Sequence, residues 1–235
     1  MTVKFHIIST GWKCEDTGNK CADSVDYQTY ENWRHAVFID GFGKNAIQKY
    51  PDNKRFVLYE AERYGKMRNF YKAYLPMKDT DSIICDLDLD DYLEPDALET
   101  VARVYEEHPE TLVTHGSFRM LSGRKPSFNG PYETDNFRQE KWKASHFKTF
   151  RASLFHRIKI NDFKGPPDGN WLMSGADLAM MYPMLEMAGL DRIKYINKPI
   201  YVYNDLSDLN DHKTDPGLQK TVERYLRRQK PYRRI

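Results

Sequence analysis

The chain has no run of about 18 apolar residues, the length a bilayer-spanning helix needs, so no membrane-crossing helix is expected. Its opening, MTVKFHIISTGWK, has an apolar part too short for a secretory leader and lacks a small-residue cleavage site, so it reads as a strand. Cysteine is scarce. Cys14, Cys21 and Cys85 are an odd number, too few for a disulfide framework. Cys85 sits in an apolar run; Cys14 and Cys21 can pair, but the reduced state of a cytoplasmic protein is the expectation. Net charge is also small: 36 Lys and Arg against 34 Asp and Glu leave +2, so no global field calls for nucleic acid. The cations are uneven, however, and gather in the closing ERYLRRQKPYRRI. A solvated helix end is the ordinary reading of such a run; peripheral contact with an anionic membrane surface is the other.

What remains is a globular chain. It has 235 residues, 40% hydrophobic and 30% charged, enough for one domain with a sizeable core. The stretch that organises it is Asp81–Pro95, DSIICDLDLDDYLEP. Ile83-Ile84-Cys85 fits a short buried strand, which then delivers Asp86, Asp88, Asp90 and Asp91 in quick succession. Carboxylates that close repel one another unless a cation sits among them. Hard ions such as Mg²⁺ and Mn²⁺ take oxygen ligands and keep positions free for phosphate. Glu94-Pro95-Asp96 then opens a helix, since Pro suits a first helical position and acids suit the first turn. The cluster is thus placed at the carboxyl end of a strand, where open α/β sheets bind ligands.

Three other readings compete. A calcium loop of the EF-hand type counted from Asp86 needs Gly at the sixth position and Glu at the twelfth, and finds Asp91 and Ala97. An aspartyl-phosphate phosphatase would use Asp86 as nucleophile and Asp88 as acid, but has Asp90 where a hydroxyl residue belongs. A solvated acidic turn is the plainest, yet acids packed this densely after an apolar strand are unusual for one.

Along the chain, Val3–Ser9, Arg34–Ile39, Arg55–Tyr59 and Thr111–Phe118 read as strands, and Cys21–Tyr30, Met67–Leu75 and Pro95–His108 as helices. Their alternation argues a parallel, helix-covered sheet. Asp40, at a strand end before Gly41, can accept bonds from a ribose or base, or simply mark a turn. Lys66 and Arg68 open the helix carrying Met67, Phe70, Tyr71, Tyr74 and Leu75. Cations there oppose the helix dipole, so they want an anion, either a phosphate or Glu60 or Glu62. Ser122–Glu140 is a long polar loop and is assigned to the acceptor side. In Trp142–Phe155, His146 reads as an ordinary structural histidine. Asp177 opens a helix running to Ala188, as an N-terminal cap or as a general base. Ile193–Ile196 and Ile200–Tyr203 read as two short strands split by Asn197-Lys198-Pro199. A polar loop holding His212 leads to a last helix from Gly217 to about Arg228.

Several segments together resemble family 2 of the glycosyltransferases: SVDYQTYENWRHAVFIDG at 24–41, ERYGKMRNFYKAYL at 62–75, DLDLDDYLEPDALE at 86–99, SGADLAMMYPMLEMAG at 174–189 and YINKPIYVYN at 195–204. The resemblance implies a single-domain α/β fold of the GT-A, Rossmann-like type: a mostly parallel central sheet flanked by helices over 1–204. Residues 205–235 would form a C-terminal loop and basic helical extension packed on or near it. It implies an inverting, metal-dependent transfer from a nucleotide-sugar to a hydroxyl of a glycan or other acceptor. Asp40 would bind the donor's base or ribose, with Lys66 or Arg68 near the nucleotide. Asp88 and Asp90 would be the DXD pair. Asp90 would hold Mn²⁺ or Mg²⁺, His212 stands at the place of a late histidine ligand, and Asp177 at that of the base. Two stretches depart from the pattern, Thr10-Gly11-Trp12-Lys13 after the first strand and Asp40-Gly41 after the second. A UDP-sugar is the favoured donor, with GDP and dTDP open. An Asp-dependent phosphatase and a non-catalytic nucleotide-sugar-binding module are the alternatives.

Overall fold

The computed structural model describes residues 2–14, 17–41, 54–77, 79–126, 129–208 and 211–235, with the side chains of residues 211 and 212 left out. In chain order the elements are β1 (Phe5–Trp12), α1 (Gly18–Asp26), β2 (Trp33–Asp40), β3 (Arg55–Tyr59), α2 (Lys66–Tyr74), β4 (Ile83–Asp88), β5 (Tyr92–Leu93), α3 (Ala97–Glu107), β6 (Val113–Met120), β7 (Lys148–Arg151), α4 (Ala152–Phe155), α5 (Ala176–Ala188), β8 (Ile193–Tyr203), α6 (Asp211–Thr214) and α7 (Pro216–Arg227). The eight strands form one sheet in the order β3-β2-β1-β4-β7-β6-β8-β5. β3, β2, β1 and β4 run parallel. β7 inserts antiparallel to both β4 and β6, β8 runs parallel to β6, and β5 closes the edge antiparallel to β8.

The central strands are covered on both faces, which is why they carry short continuous apolar runs, such as residues 36–39 of β2 and 83–85 of β4. Ile8 and Ile84 face a core completed by Phe70 and Tyr74 of α2, Phe155 of α4, Met181 and Leu185 of α5 and Leu226 of α7. Ile7, Cys85 and Leu87 face the other core, with Cys21 and Val25 of α1 and Leu98, Val101 and Tyr105 of α3. The three cysteines are buried and none is in a disulfide, so Cys14 and Cys21 do not bond to each other.

Two expectations change in detail. The helix expected over Cys21–Tyr30 runs earlier, Gly18–Asp26, and Thr29 instead ties its backbone to Pro95. The two short strands expected at 193–203 are one strand, β8, with its register against β6 slipping on either side of Ser117, which faces Pro199. Proline has no N–H to give the ladder, so the chain bulges there and resumes pairing beyond it. Residues 122–140 form neither helix nor strand where they are described.

The last helix packs on the body through its apolar side, while Arg224, Arg228, Lys230, Arg233 and Arg234 stay exposed. Val222 and Leu226 enter the core. The Arg138 guanidinium pairs with Glu186 of α5 at 2.5 and 3.0 Å and donates to the Leu226 carbonyl. Arg227 donates to the carbonyls of Arg138 and Glu140, and the Tyr232 amide donates to Glu186. No helix of the described residues is long and apolar enough to cross a membrane.

Candidate active site

Four elements converge at the carboxyl end of the parallel strands. β4 carries Asp86 in its buried length and ends on Asp88, after which the chain turns through Leu89, Asp90 and Asp91, with the Asp91 amide donating to the Asp88 carbonyl. α2 begins at Lys66 because Gly65, at φ +82°, breaks the chain direction just before it. α5 begins after Gly175, which lies in the left-handed region at φ +70°, and puts Asp177 in its first turn. β7 begins with Lys148.

These residues meet in one ionic cluster. The Lys66 ammonium lies 2.7 Å from Asp88 Oδ1, 3.0 Å from Asp86 Oδ2 and 3.0 Å from Asp177 Oδ1. The Lys148 ammonium lies 3.0 Å from the same Asp86 oxygen and 3.1 Å from the same Asp177 oxygen. Burial alone would strip the protons from both lysines; the Asp177 and Asp86 carboxylates outweigh it and hold both cations, Lys66 well above its ordinary value. Burial pushes the Asp177 carboxyl up, but Lys148 and then Lys66 override it and hold it well below the usual carboxylate range. The Asp177 carboxylate and the two ammonium groups therefore stay charged together.

The next two acids behave differently. Burial, reinforced by Asp88, pushes Asp90 up to about 6. Asp91 is pushed well above its ordinary value, first by burial and then by Asp90 and Asp88, even though the Tyr201 hydroxyl and the Asn204 amide donate to it at 2.5 and 2.7 Å. The His146 ring stacks on Tyr201 and Tyr203, with centroids 4.7 and 5.1 Å apart. Burial, then Lys148, lowers its imidazole well below 6.5, which keeps it neutral.

Asp40 sits beside this cluster. Its carboxylate is buried and accepts from the Gly65 amide and the Asn69 side chain, both at 2.6 Å, so it ties the end of β2 to the start of α2. Arg68 turns to Glu60, at 3.6 Å, and lies over the Tyr64 ring, the carboxylate partner weighed for it in the sequence. Lys66 and Asp177 do meet the acidic loop, although Lys66 and Asp177 are 111 positions apart. The His212 side chain lies outside the described residues.

Solved structures with this arrangement of strands and helices are numerous. S. aureus TarS matches 86% of this chain with a TM-score of 0.64 at 18% identity, and its 1–349 fragment in complex with UDP matches the same share with the same score. The mannosyltransferase PcManGT from Pyrobaculum calidifontis, solved with GDP-Man and Mn²⁺, matches 90% with a TM-score of 0.60 at 15% identity. The chain has the GT-A glycosyltransferase fold. It spans 37% of TarS, 60% of the TarS fragment and 59% of PcManGT. At such identities the likeness is one of fold. No family model and no curated protein matches the chain.

Within this GT-A fold the acidic loop suits a divalent cation. Among the described residues, Asp88, Asp91 and His146 each offer a ligand atom within 4.8 Å of the others. The His146 Nδ1 has no hydrogen-bond partner. The Asp88 charge adds to burial in raising the Asp90 carboxyl, a strain that a cation between them relieves. Asp91 is the less free of the group, since both its oxygens already accept bonds.

The phosphatase reading fares poorly here. Asp86 is 1% exposed and one oxygen is held by two lysines, whereas attack on phosphorus needs a reachable oxygen. Sequence reasoning missed Lys148, Tyr201 and His146 as members of this site. The one signal for Lys148 was a lysine inside the otherwise apolar FKTF, where a charge needs a partner.

Proposed function

We propose that this protein is an inverting, divalent-metal-dependent glycosyltransferase, moving a sugar from a nucleoside-diphosphate donor, a UDP-sugar by preference, to a hydroxyl of a glycan or other acceptor. The observation that carries the reading is the Lys66 bridge. It spans from Asp88, at the end of β4, to Asp177, at the start of α5, at 2.7 and 3.0 Å. A donor-side acid loop and an acceptor-side carboxylate thus face each other across one cation. The neighbours solved with UDP and with GDP-Man and Mn²⁺ support a nucleotide donor.

The donor's anomeric C–O bond breaks with its electrons going to the diphosphate, and the acceptor oxygen forms the new bond from the opposite face. A divalent ion held by Asp90 and Asp88 would supply positive charge against the leaving diphosphate. Lys66, at the mouth of the same loop, adds a second positive charge there. Asp40 keeps the start of α2, and hence Lys66, in place through Gly65. The acceptor proton passes to Asp177. With both lysines on it, that carboxylate is too acidic for a good base; when Lys66 turns to the diphosphate, one of its two cations leaves and its proton affinity rises.

The same low proton affinity favours the second reading, a binding module without turnover. A panel of UDP-, GDP- and dTDP-sugars with Mn²⁺, scored by thermal shift and by donor hydrolysis, separates the two. The transferase reading expects Asp177→Asn to keep the donor-induced shift and to lose turnover by roughly 10²–10⁴-fold. Near-native turnover in that variant removes Asp177 from the base role. Stabilisation by a donor without hydrolysis or transfer to any acceptor favours the module.

A further inference from the structure

The two lysines of the cluster make similar contacts but have different freedom. Lys148 is 0% exposed and is enclosed by β4, β7 and α5. Lys66 is 21% exposed and sits on the first residue of a helix, with an open side. Only Lys66 reaches Asp88, the acid of this cluster that also belongs to the group able to ligate a metal. We propose that the Lys66 ammonium is a resident counter-cation of the acidic loop, which a divalent metal must displace from Asp88, so that metal and nucleotide load together rather than one at a time. This rests on the donor-binding reading above and deepens it.

The physical reason is charge. A dication bound through Asp88 would lie within a few ångströms of an ammonium group that is itself 2.7 Å from the same carboxylate. Like charges at that separation in a partly buried site repel strongly. Metal alone therefore has to push Lys66 off Asp88 and leave it only Asp86 and Asp177, which it already shares with Lys148. A diphosphate changes that, because it gives the displaced ammonium a new anion at the mouth of the cleft. Lys148 cannot follow, and stays behind to keep Asp86 and Asp177 paired. Asp88 then passes from the lysine to the metal, and Lys66 from Asp88 to the diphosphate. By linkage, each ligand must tighten the other by the same factor.

Mn²⁺ titration followed by electron paramagnetic resonance reads this without any sugar substrate. Native protein, Lys66→Met and the control Lys72→Met, a surface lysine of the same helix that pairs with Glu60 just after β3, are each titrated with Mn²⁺ alone and with saturating UDP. The expected result is Mn²⁺ alone binding Lys66→Met about tenfold tighter than native, the order expected when a neighbouring like charge is removed. Lys72→Met should match native. UDP should tighten Mn²⁺ on native protein and have a smaller effect on Lys66→Met. If Lys66→Met does not fold, Lys66→Gln, which keeps a donor without the charge, is read the same way. Mn²⁺ binding that is no tighter, weaker or absent in the neutral variants overturns the proposal. Failure of the transferase reading looks different: no sugar donor is consumed, whatever the Mn²⁺ affinities.

Discussion

Asp90 and Asp177 are both acids in the same cleft, and their surroundings push them in opposite directions. Asp177 has two ammonium groups on one oxygen, whereas burial and Asp88 push Asp90 from 3.8 to about 6. For Asp90 the folded value is the higher one, so its favourable contribution to folding is fully present below about pH 4 and is lost as pH rises through about 6. Asp91 acts in the same direction. Thermal melts in a chelator from about pH 4.5 to 7 should therefore show Asp90→Asn gaining on native protein as pH rises; a gap that does not widen removes this account of Asp90. Mn²⁺ must also compete with the Asp90 proton, so native Mn²⁺ affinity is expected to fall as pH drops through about 6. The acids of this loop were legible from their density after an apolar strand. The charge states of Asp90 and Asp91 were not, because they follow first from burial, which only the folded chain sets.

At the scale of elements, the start of α5 decides where Asp177 points. Gly175 is in the left-handed region, and a Cβ there would stand 2.8 Å from Val222 Cγ1 of α7. Gly175→Ala thus meets both backbone strain and a clash, and is expected to cost about 1–3 kcal/mol. Because Asp177 follows two residues later, turnover should fall more than donor binding does. A variant with native melting temperature and native turnover would show that α5 tolerates a shift at its first turn. The apolar stripe of α2 was readable as helical spacing, but Asp177 does not cap α5: Gly175 takes the cap position, no side chain caps it among the described residues, and Asp177 lies in the first turn. The unbroken β8 was not readable, since a proline between two apolar runs looks like a break until a partner strand absorbs the bulge.

For the whole molecule, the last helix is part of the core rather than an appendage. Leu226 is buried against α5, and the Arg138, Glu186 and Tyr232 contacts close the seam. Leu226→Ala is expected to cost about 2–5 kcal/mol in thermal or denaturant unfolding, as for other buried leucines. Donor binding below the melt should change little, since Leu226 lies outside the ionic cluster. A loss under about 0.5 kcal/mol, the usual range for a surface substitution, would mean that α7 is not held as described.

The sequence by itself determined the parts whose signal is local. Burial on both faces writes short apolar runs, Ile7-Ile8 and Ile83-Ile84-Cys85, into β1 and β4, helical spacing marks α2 and α3, and acid density marks the loop after β4. Tertiary structure alone decided that β7 would enter antiparallel between β4 and β6, and so carry Lys148 into a cluster with Asp86 and Asp177. The reason is physical: an ion pair between distant residues leaves no periodicity in the chain, and comes into being only when the sheet brings its partners within about 3 Å.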